Sequence, residues 1–341
     1  MKRQLKRIAA ALLAPLATVM WRRSTEPRLL VLMYHRVLPQ DHPDRANEQP
    51  GMYVSPATLA MHLEVLKRHF EIVHLDDWMR RAAERQPLPR LACAVTFDDG
   101  WRDNFQYAFP ILQAAAVPAT IYLLPDLMGT RYSFWPNRLA RLLSAADNNA
   151  VSAGWPAWLR AEIAAAAPGR QAPLPLPMTQ IDAVIDRCKS RYTDDTLLEM
   201  LDAVIARRGA GADERDLLSW EEAQEMAAGG LIRFGSHTRR HIRLDARAPA
   251  NVLEDEICAS RTAIEQRLGA AVSSFCYPNG DHCPAAVEFV RTAYRTAVTT
   301  HKGWNSPSSD PHLLNRVGVH EDVSSTSAAF VSRLALAART G

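Results

Sequence analysis

An α/β architecture with a parallel sheet is what this sequence predicts, and three features predict it. Short apolar runs alternate with amphipathic, capped segments along most of the chain, as in successive βα units. The run Leu91-Ala92-Cys93-Ala94-Val95 is apolar at every position, which is how a parallel strand buried on both faces reads. It ends in Thr96-Phe97-Asp98-Asp99-Gly100, so polar chemistry stands at the C-terminal end of a strand, where such folds keep their active loops.

The N-terminus stands apart. Residues 1 to 28 hold seven Lys and Arg against Glu26, so in a chain of net charge +3 the remainder is net −3 and does not read as a nucleic-acid binder. Ile8 to Met20 is uncharged but shorter than the roughly 20 residues that span a bilayer. It is broken by Pro15 and followed by Trp21-Arg22-Arg23, where positive charge resists translocation. Leu5, Ile8, Leu12, Leu16 and Val19 share one face, which fits a basic amphipathic arm over residues 1–26 lying on an anionic membrane with Trp21 at headgroup level. The protein is then expected in the cytoplasm, peripheral on the inner membrane. A signal anchor with a periplasmic body and a merely solvated arm are the alternatives. Five cysteines, Cys93, Cys188, Cys258, Cys276 and Cys283, lack paired spacing and suit a reducing compartment.

From residue 27 the alternation begins. Leu29 to Tyr34 reads as a strand ending at His35. Ser55-Pro56 is a cap and first-turn pair opening a helix to about His69, and Glu71 to Leu75 reads as the next strand. The Asp-Asp strand follows, then a helix near Asp103 to Ala115 and a strand Ala119 to Leu124. Ser219-Trp220-Glu221-Glu222 is a capping box whose helix closes at Gly229-Gly230 and hands over to a strand that delivers His237. Asn251 to Leu268 places Leu253, Ile257, Ile264 and Leu268 on one face and stops at Gly269, with a strand Val272 to Tyr277 after it.

Residues from about 126 to 215 interrupt that rhythm. Helical patterns around Asn137 to Ala145, Trp155 to Ala165, Thr179 to Arg191 and Thr196 to Arg207 are separated by Pro168, Pro173, Pro175 and Pro177, which reads as a helical insertion. Its Trp135, Trp155 and Trp158 could stack on sugar rings as a lid or acceptor wall, or pack the insertion's own core.

The candidate chemistry rests on two motifs. Adjacent Asp98 and Asp99 point in different directions, so one can ligate a metal while the other serves as a base; alone they could be only a turn and cap. Far along the chain, Phe234-Gly235-Ser236-His237-Thr238-Arg239-Arg240-His241 spaces two histidines four apart, and on one helical turn both imidazoles would share a face. One carboxylate and two imidazoles make a three-ligand set with positions left open, the pattern of a catalytic divalent ion. A zincin-type protease is excluded because Thr238, not Glu, follows the first histidine.

With these residues the chain resembles the polysaccharide deacetylases, the NodB-like family of carbohydrate esterases (family 4). Thr96 to Gly100 matches the first family motif, T-F-D-D-G, and Ser236 to His241 carries the second, H-[ST]-x-x-H; order and context match from about Leu29 to His320. The resemblance implies a distorted (β/α) barrel of about seven parallel strands over 27–341. It implies Asp98 as catalytic base and Asp99, His237 and His241 as ligands of a divalent ion, Zn2+ foremost. Phe275-Cys276-Tyr277-Pro278-Asn279-Gly280 resembles the third motif, whose turn would lend the backbone N–H of Asn279 to an oxyanion. Many members carry there an Arg that orients the base. Here Cys276 stands in its place, and Arg316 in Leu314-Asn315-Arg316-Val317-Gly318-Val319-His320 is the local substitute. For the general acid, His35 and His320 compete. Val317-Gly318-Val319-His320 matches the usual Leu-x-His poorly, whereas Tyr34-His35 after the opening strand resembles circularly permuted members, so His35 is the choice. The function implied is metal-dependent removal of N-acetyl groups from an amino sugar in a polysaccharide, its precursor or a lipid-linked glycan. A catalytically silent carbohydrate-binding barrel, and a hydrolase of O-acetyl groups or another amide, are the alternatives.

Overall fold

The computed structural model describes residues 21, 26–144, 155–166, 175–206 and 215–338. Apart from Trp21 and Glu26, the expected amphipathic arm lies outside the described residues, as do Ala145, Pro168, Pro173 and Arg207. Among the described residues no helix is long and apolar enough to cross a membrane.

Seven parallel strands close into a barrel in sequence order: β1 Arg28–Tyr34, β2 Leu91–Phe97, β3 Ala119–Leu123, β4 Ile232–Ser236, β5 Ser274–Cys276, β6 Thr296–Lys302 and β7 Leu314–Gly318. β1 and β2 pair from Arg28 with Leu91 to Tyr34 with Phe97. β7 returns to β1 only at Leu32 with Val317 and Met33 with Gly318. Below that point Asn305 fills the seam, exchanging backbone hydrogen bonds of 2.8 and 2.9 Å with Leu29. The short strand Glu71–Ile72 lies against Ala92 and Cys93 on the edge of β2 that β3 takes over from Val95 onward.

Strand alternation divides the core into two layers. Leu29, Val31, Ala92, Ala94, Tyr122, Cys276, Val298 and Leu314 form the interior, while Leu30, Leu32, Cys93, Val95, Ile121 and Phe275 pack outward under the helices. Trp78 and Met79, from the helix Leu75–Ala83, join the interior layer. This corrects the strand expected through Leu75. Leu75, Trp78 and Met79 repeat at helical spacing, and Asp76 and Asp77 favour a helix's first turn.

Ser55 caps Pro56–His69 as expected, its hydroxyl accepting from Thr58 N at 3.1 Å, and the Ser219 capping box opens Trp220–Ala227. The helix from Asn104 to Ala115 begins with a π-helical turn, Asn104–Ala108, and the one from Ala250 to Leu268 contains another, Asp255–Ala259. Trp21 is buried at ring-centroid distances of 5.2 Å from Phe70 and 5.6 Å from Trp304, so it packs on the barrel's flank and not at a lipid headgroup.

A second compact unit comprises Gln40–Gln49 and Arg131–Asp216. Its helices Trp135–Ser144, Ala157–Ala166, Met178–Arg191 and Asp194–Ala206 enclose a core of their own. Trp135 and Trp155 are buried in that core, with Trp158 half-buried against it. These indoles serve packing, and the two buried ones have no face left for a sugar. Buried Glu162 is paired with Arg187 at 2.9 Å and Arg191 at 3.3 Å.

Candidate active site

The inward phase of the barrel strands carries polar side chains into the barrel's mouth. On β2 it runs from Ala92 and Ala94 through Thr96 to Asp98, on β7 from Leu314 to Arg316, and on β1 from Leu29 and Val31 to His35. Asp98 and Arg316 therefore meet inside the mouth. The fully buried guanidinium grips the carboxylate with both prongs, Nη1 to Oδ1 at 2.6 Å and Nη2 to Oδ2 at 2.8 Å. It also donates to Thr299 O at 2.8 Å and Thr96 Oγ1 at 3.2 Å. Its Nη2 lies 3.2 Å from Cys276 Sγ, so a small residue on β5 leaves room for an arginine arriving from β7. Burial alone would raise the carboxyl of Asp98, but Arg316 overrides it and holds the group below its ordinary value, as an anion.

Asp99 lives differently. Its backbone is left-handed, φ 71°, which breaks the strand and turns the side chain from the neighbour's path. Oδ2 accepts from Trp101 Nε1 at 2.9 Å. Oδ1 is buried without a hydrogen-bond partner, 3.4 Å from His237 Nε2 and 3.5 Å from His241 Nε2. These three atoms are one of the clusters able to hold a metal.

The histidines converge through a loop, not along a helical turn as expected. His237 directly follows β4, its N–H continuing the ladder to Leu123 O at 2.9 Å. Thr238 and His241 both have positive φ, 68° and 64°, and Thr238 Oγ1 accepts from His241 N at 3.0 Å. The left-handed backbone folds the loop so that the two rings lie edge to face, 5.0 Å apart. Glu256, wholly buried on the π-helical turn Asp255–Ala259, accepts from Arg239 N at 2.8 Å and Arg240 N at 3.0 Å and so anchors the loop from beneath. Behind His237, a Cβ on Gly235 would come within 2.5 Å of the Tyr122 ring.

A proton count tests the site for a cation. His237 Nδ1 lies 2.7 Å from Cys276 O; a carbonyl only accepts, so Nδ1 carries the hydrogen and the gap between Nε2 and Asp99 Oδ1 is left for a proton on Nε2 or for a bound cation. Two lone pairs facing each other in a buried pocket need positive charge between them. Ligand bonds of 2.0–2.2 Å around a tetrahedral ion separate the ligand atoms by about 3.4 Å, which matches the 3.4 and 3.5 Å observed. Burial disfavours charge on His237, yet Cys276 and the carboxylates of Asp99 and Asp98 hold its affinity for a proton well above the ordinary value. The residues fit a divalent ion, with the other nitrogen of His237 held as metal-bound imidazoles usually are.

The remaining sequence candidates stand around this centre. His35 Nε2 is 3.8 Å from Asp98 Oδ2, and its side chain is 20% exposed. His320 is half-buried, with Nδ1 lacking a hydrogen-bond partner. Burial first, then Arg333, lowers its pKa, and charge on His35 opposes charge on it. Asn279 occupies the turn after β5 at φ 55°, ψ 3°, and accepts from Thr300 Oγ1 at 3.3 Å. Gly280 beside it, at φ 77°, cannot take a side chain, since a Cβ would fall 2.1 Å from that hydroxyl. Sequence reasoning missed Trp101 and Glu256; neither belongs to a motif, and their roles come from contacts to Asp99 and to the histidine loop.

The model of the family described as polysaccharide deacetylase matches residues 85–155 and 187–298, more than half of the chain. The chain belongs to the polysaccharide deacetylase family. It is accordingly a hydrolase of non-peptide carbon–nitrogen bonds that deacetylates glycans. No curated protein matches the sequence. Solved structures share the fold at low identity. The Streptococcus pyogenes deacetylase PplD, in complex with acetate, is 16% identical with a TM-score of 0.58, over 91% of this chain and 99% of that one. IcaB from Ammonifex degensii is 20% identical with a TM-score of 0.57, over 90% and 97%. The polysaccharide deacetylase BC0361 from Bacillus cereus is 19% identical with a TM-score of 0.56, over 91% of this chain and 69% of that one.

Proposed function

We propose that this deacetylase is metal-dependent and removes N-acetyl groups from an amino sugar in a polysaccharide, its precursor or a lipid-linked glycan. The observation that carries the reading is the buried Asp99 Oδ1, without a hydrogen-bond partner, facing imidazole nitrogens at 3.4 and 3.5 Å. Asp99, His237 and His241 would hold the ion, Zn2+ foremost by its preference for this mixed nitrogen and oxygen set. When bound, a divalent ion supplies Lewis acidity toward the acetyl carbonyl and lowers the pKa of water.

The chain's own groups do the rest. Asp98, kept anionic by Arg316, takes the proton of the attacking water. The N–H of Asn279, in its left-handed turn, donates to the oxygen that becomes anionic in the tetrahedral state. An amine leaves an amide only after protonation, and His35 supplies that proton at the open side of Asp98. The peripheral attachment of the N-terminal arm to the cytoplasmic face of an anionic membrane is part of the same proposal. Full-length protein should then sediment with anionic vesicles, and a protein starting at Ser24 should not.

Acetate release from a panel of N-acetylated oligosaccharides, with and without chelator, tests the function. The expected result is release that chelator abolishes and Zn2+ restores. Release indifferent to exhaustive chelation would overturn the metal reading, and release from O-acetylated sugars alone would overturn the amide.

A further inference from the structure

Asp99 has one oxygen facing the histidines because something holds the other. That partner is Trp101, whose indole N–H donates to Asp99 Oδ2 at 2.9 Å. The indole is itself fixed: the Arg36 guanidinium carbon lies 4.1 Å from its ring centroid, and Arg36 Nε donates to Asp103 Oδ2 at 2.8 Å. Trp101, Arg36 and Asp103 are all buried, so the chain runs through low dielectric and its bonds are strong. Asp103 Oδ1 accepts from Val37 N at 2.8 Å, and Asn104 Nδ2 donates to His35 O at 2.8 Å. Asp103 and Asn104 thereby hold the segment carrying His35, and Arg36 of that segment seats the indole that holds Asp99.

We infer that Trp101, seated by Arg36 and Asp103, is a positioning residue that makes Asp99 a one-oxygen metal ligand. A carboxylate free to turn can present both oxygens to an ion and occupy a coordination place that water or substrate needs. With Oδ2 engaged by the indole, only Oδ1 is offered to the ion, and the geometry stays open. The inference rests on the proposed metal site, and the test separates the two.

The measurement is Zn2+ affinity of metal-free protein in competition with a chromophoric chelator, together with the absorption spectrum of the Co2+ form. Trp101→Phe keeps a ring beneath Arg36 and deletes the donor. Benzothienylalanine at position 101 replaces N–H by sulfur in the same outline and deletes little else. Both should bind Zn2+ about 10–100-fold more weakly than wild type. Both should also give weaker Co2+ d–d bands, as an added carboxylate oxygen raises the coordination number, while the metal-free proteins stay folded by circular dichroism and melt somewhat lower because Asp99 Oδ2 has lost its donor. Wild-type affinity and spectrum in the benzothienylalanine protein would overturn the role of Trp101 and leave the metal site standing. Absence of stoichiometric metal in the wild type would overturn the site and this inference together.

Discussion

Asp98 and Asp99 are consecutive, both buried, and surrounded by opposite things. Asp98 meets a guanidinium that satisfies both oxygens with a permanent charge. Asp99 meets one indole N–H on one oxygen and two imidazole nitrogens, 3.4 and 3.5 Å away, around the other. The first carboxylate is satisfied by the protein at both oxygens, and the second keeps Oδ1 buried without a hydrogen-bond partner. Adjacent residues of one type can therefore hold different offices, because a single left-handed backbone angle at Asp99 sends the two carboxylates to different neighbours.

The comparison breaks first at Asp98. Asp98→Asn keeps the shape and loses the base, so acetate release should fall about 10²–10⁴-fold while metal is retained; near wild-type turnover would remove Asp98 from the chemistry. Arg316→Leu leaves the Asp98 charge buried and unpaired, which should cost about 3–5 kcal/mol in urea unfolding. An unchanged midpoint would mean that solvent, not Arg316, keeps the carboxylate ionised.

On the open side of Asp98, His35→Ala should lose about 10²-fold in amide turnover with metal retained. Its remaining activity should favour activated esters, whose leaving groups need no proton, and His320→Ala should be milder. The reverse order of severity would transfer the acid to His320. The smallest effect sharpens the electrostatic contrast. His62 is a buried histidine with neutral partners: Tyr34 OH at 2.9 Å on Nδ1 and Ser324 O at 2.7 Å on Nε2. Burial lowers its pKa to about 4 from 6.5, the opposite of His237 among carboxylates. The unfolded chain then binds the extra proton first, so this contribution is whole above pH 6.5 and is lost as pH falls toward 4. Stability should drop about 2 kcal/mol between pH 7 and pH 5 from this group. His62→Gln should show a shallower decline in urea titrations at the two pH values.

The barrel was largely legible because its signals are local. An all-apolar run such as Leu91 to Val95 leaves no reading but a strand buried on both sides, and the Ser55 and Ser219 caps mark their helices within a residue. Glu71 to Leu75 misled because its apolar residues are too few to separate periods, and the helical set Leu75, Trp78 and Met79 begins inside it. At the site, Asp99, His237 and His241 could be singled out, but not how they come together. Histidines four apart suit a helical turn, while Thr238 and His241 adopt φ values that no pattern in their side chains demands. Arg316 could be named from the segment it stands in, while its inward phase on the last strand shows only in the closed barrel. Glu256 and Trp101 act through contacts across the fold, and spacing carries no trace of those.

The most direct test gives both carboxylates the same isosteric change and asks which one holds the ion. Zn2+ titration of metal-free Asp98→Asn and Asp99→Asn against a competing chelator reads this without any substrate. Asp99 as the ion's ligand and Asp98 as the base predict wild-type stoichiometry and near wild-type affinity for Asp98→Asn, and a loss of at least about 100-fold for Asp99→Asn. Retained affinity in Asp99→Asn, with the loss in Asp98→Asn, would contradict that assignment.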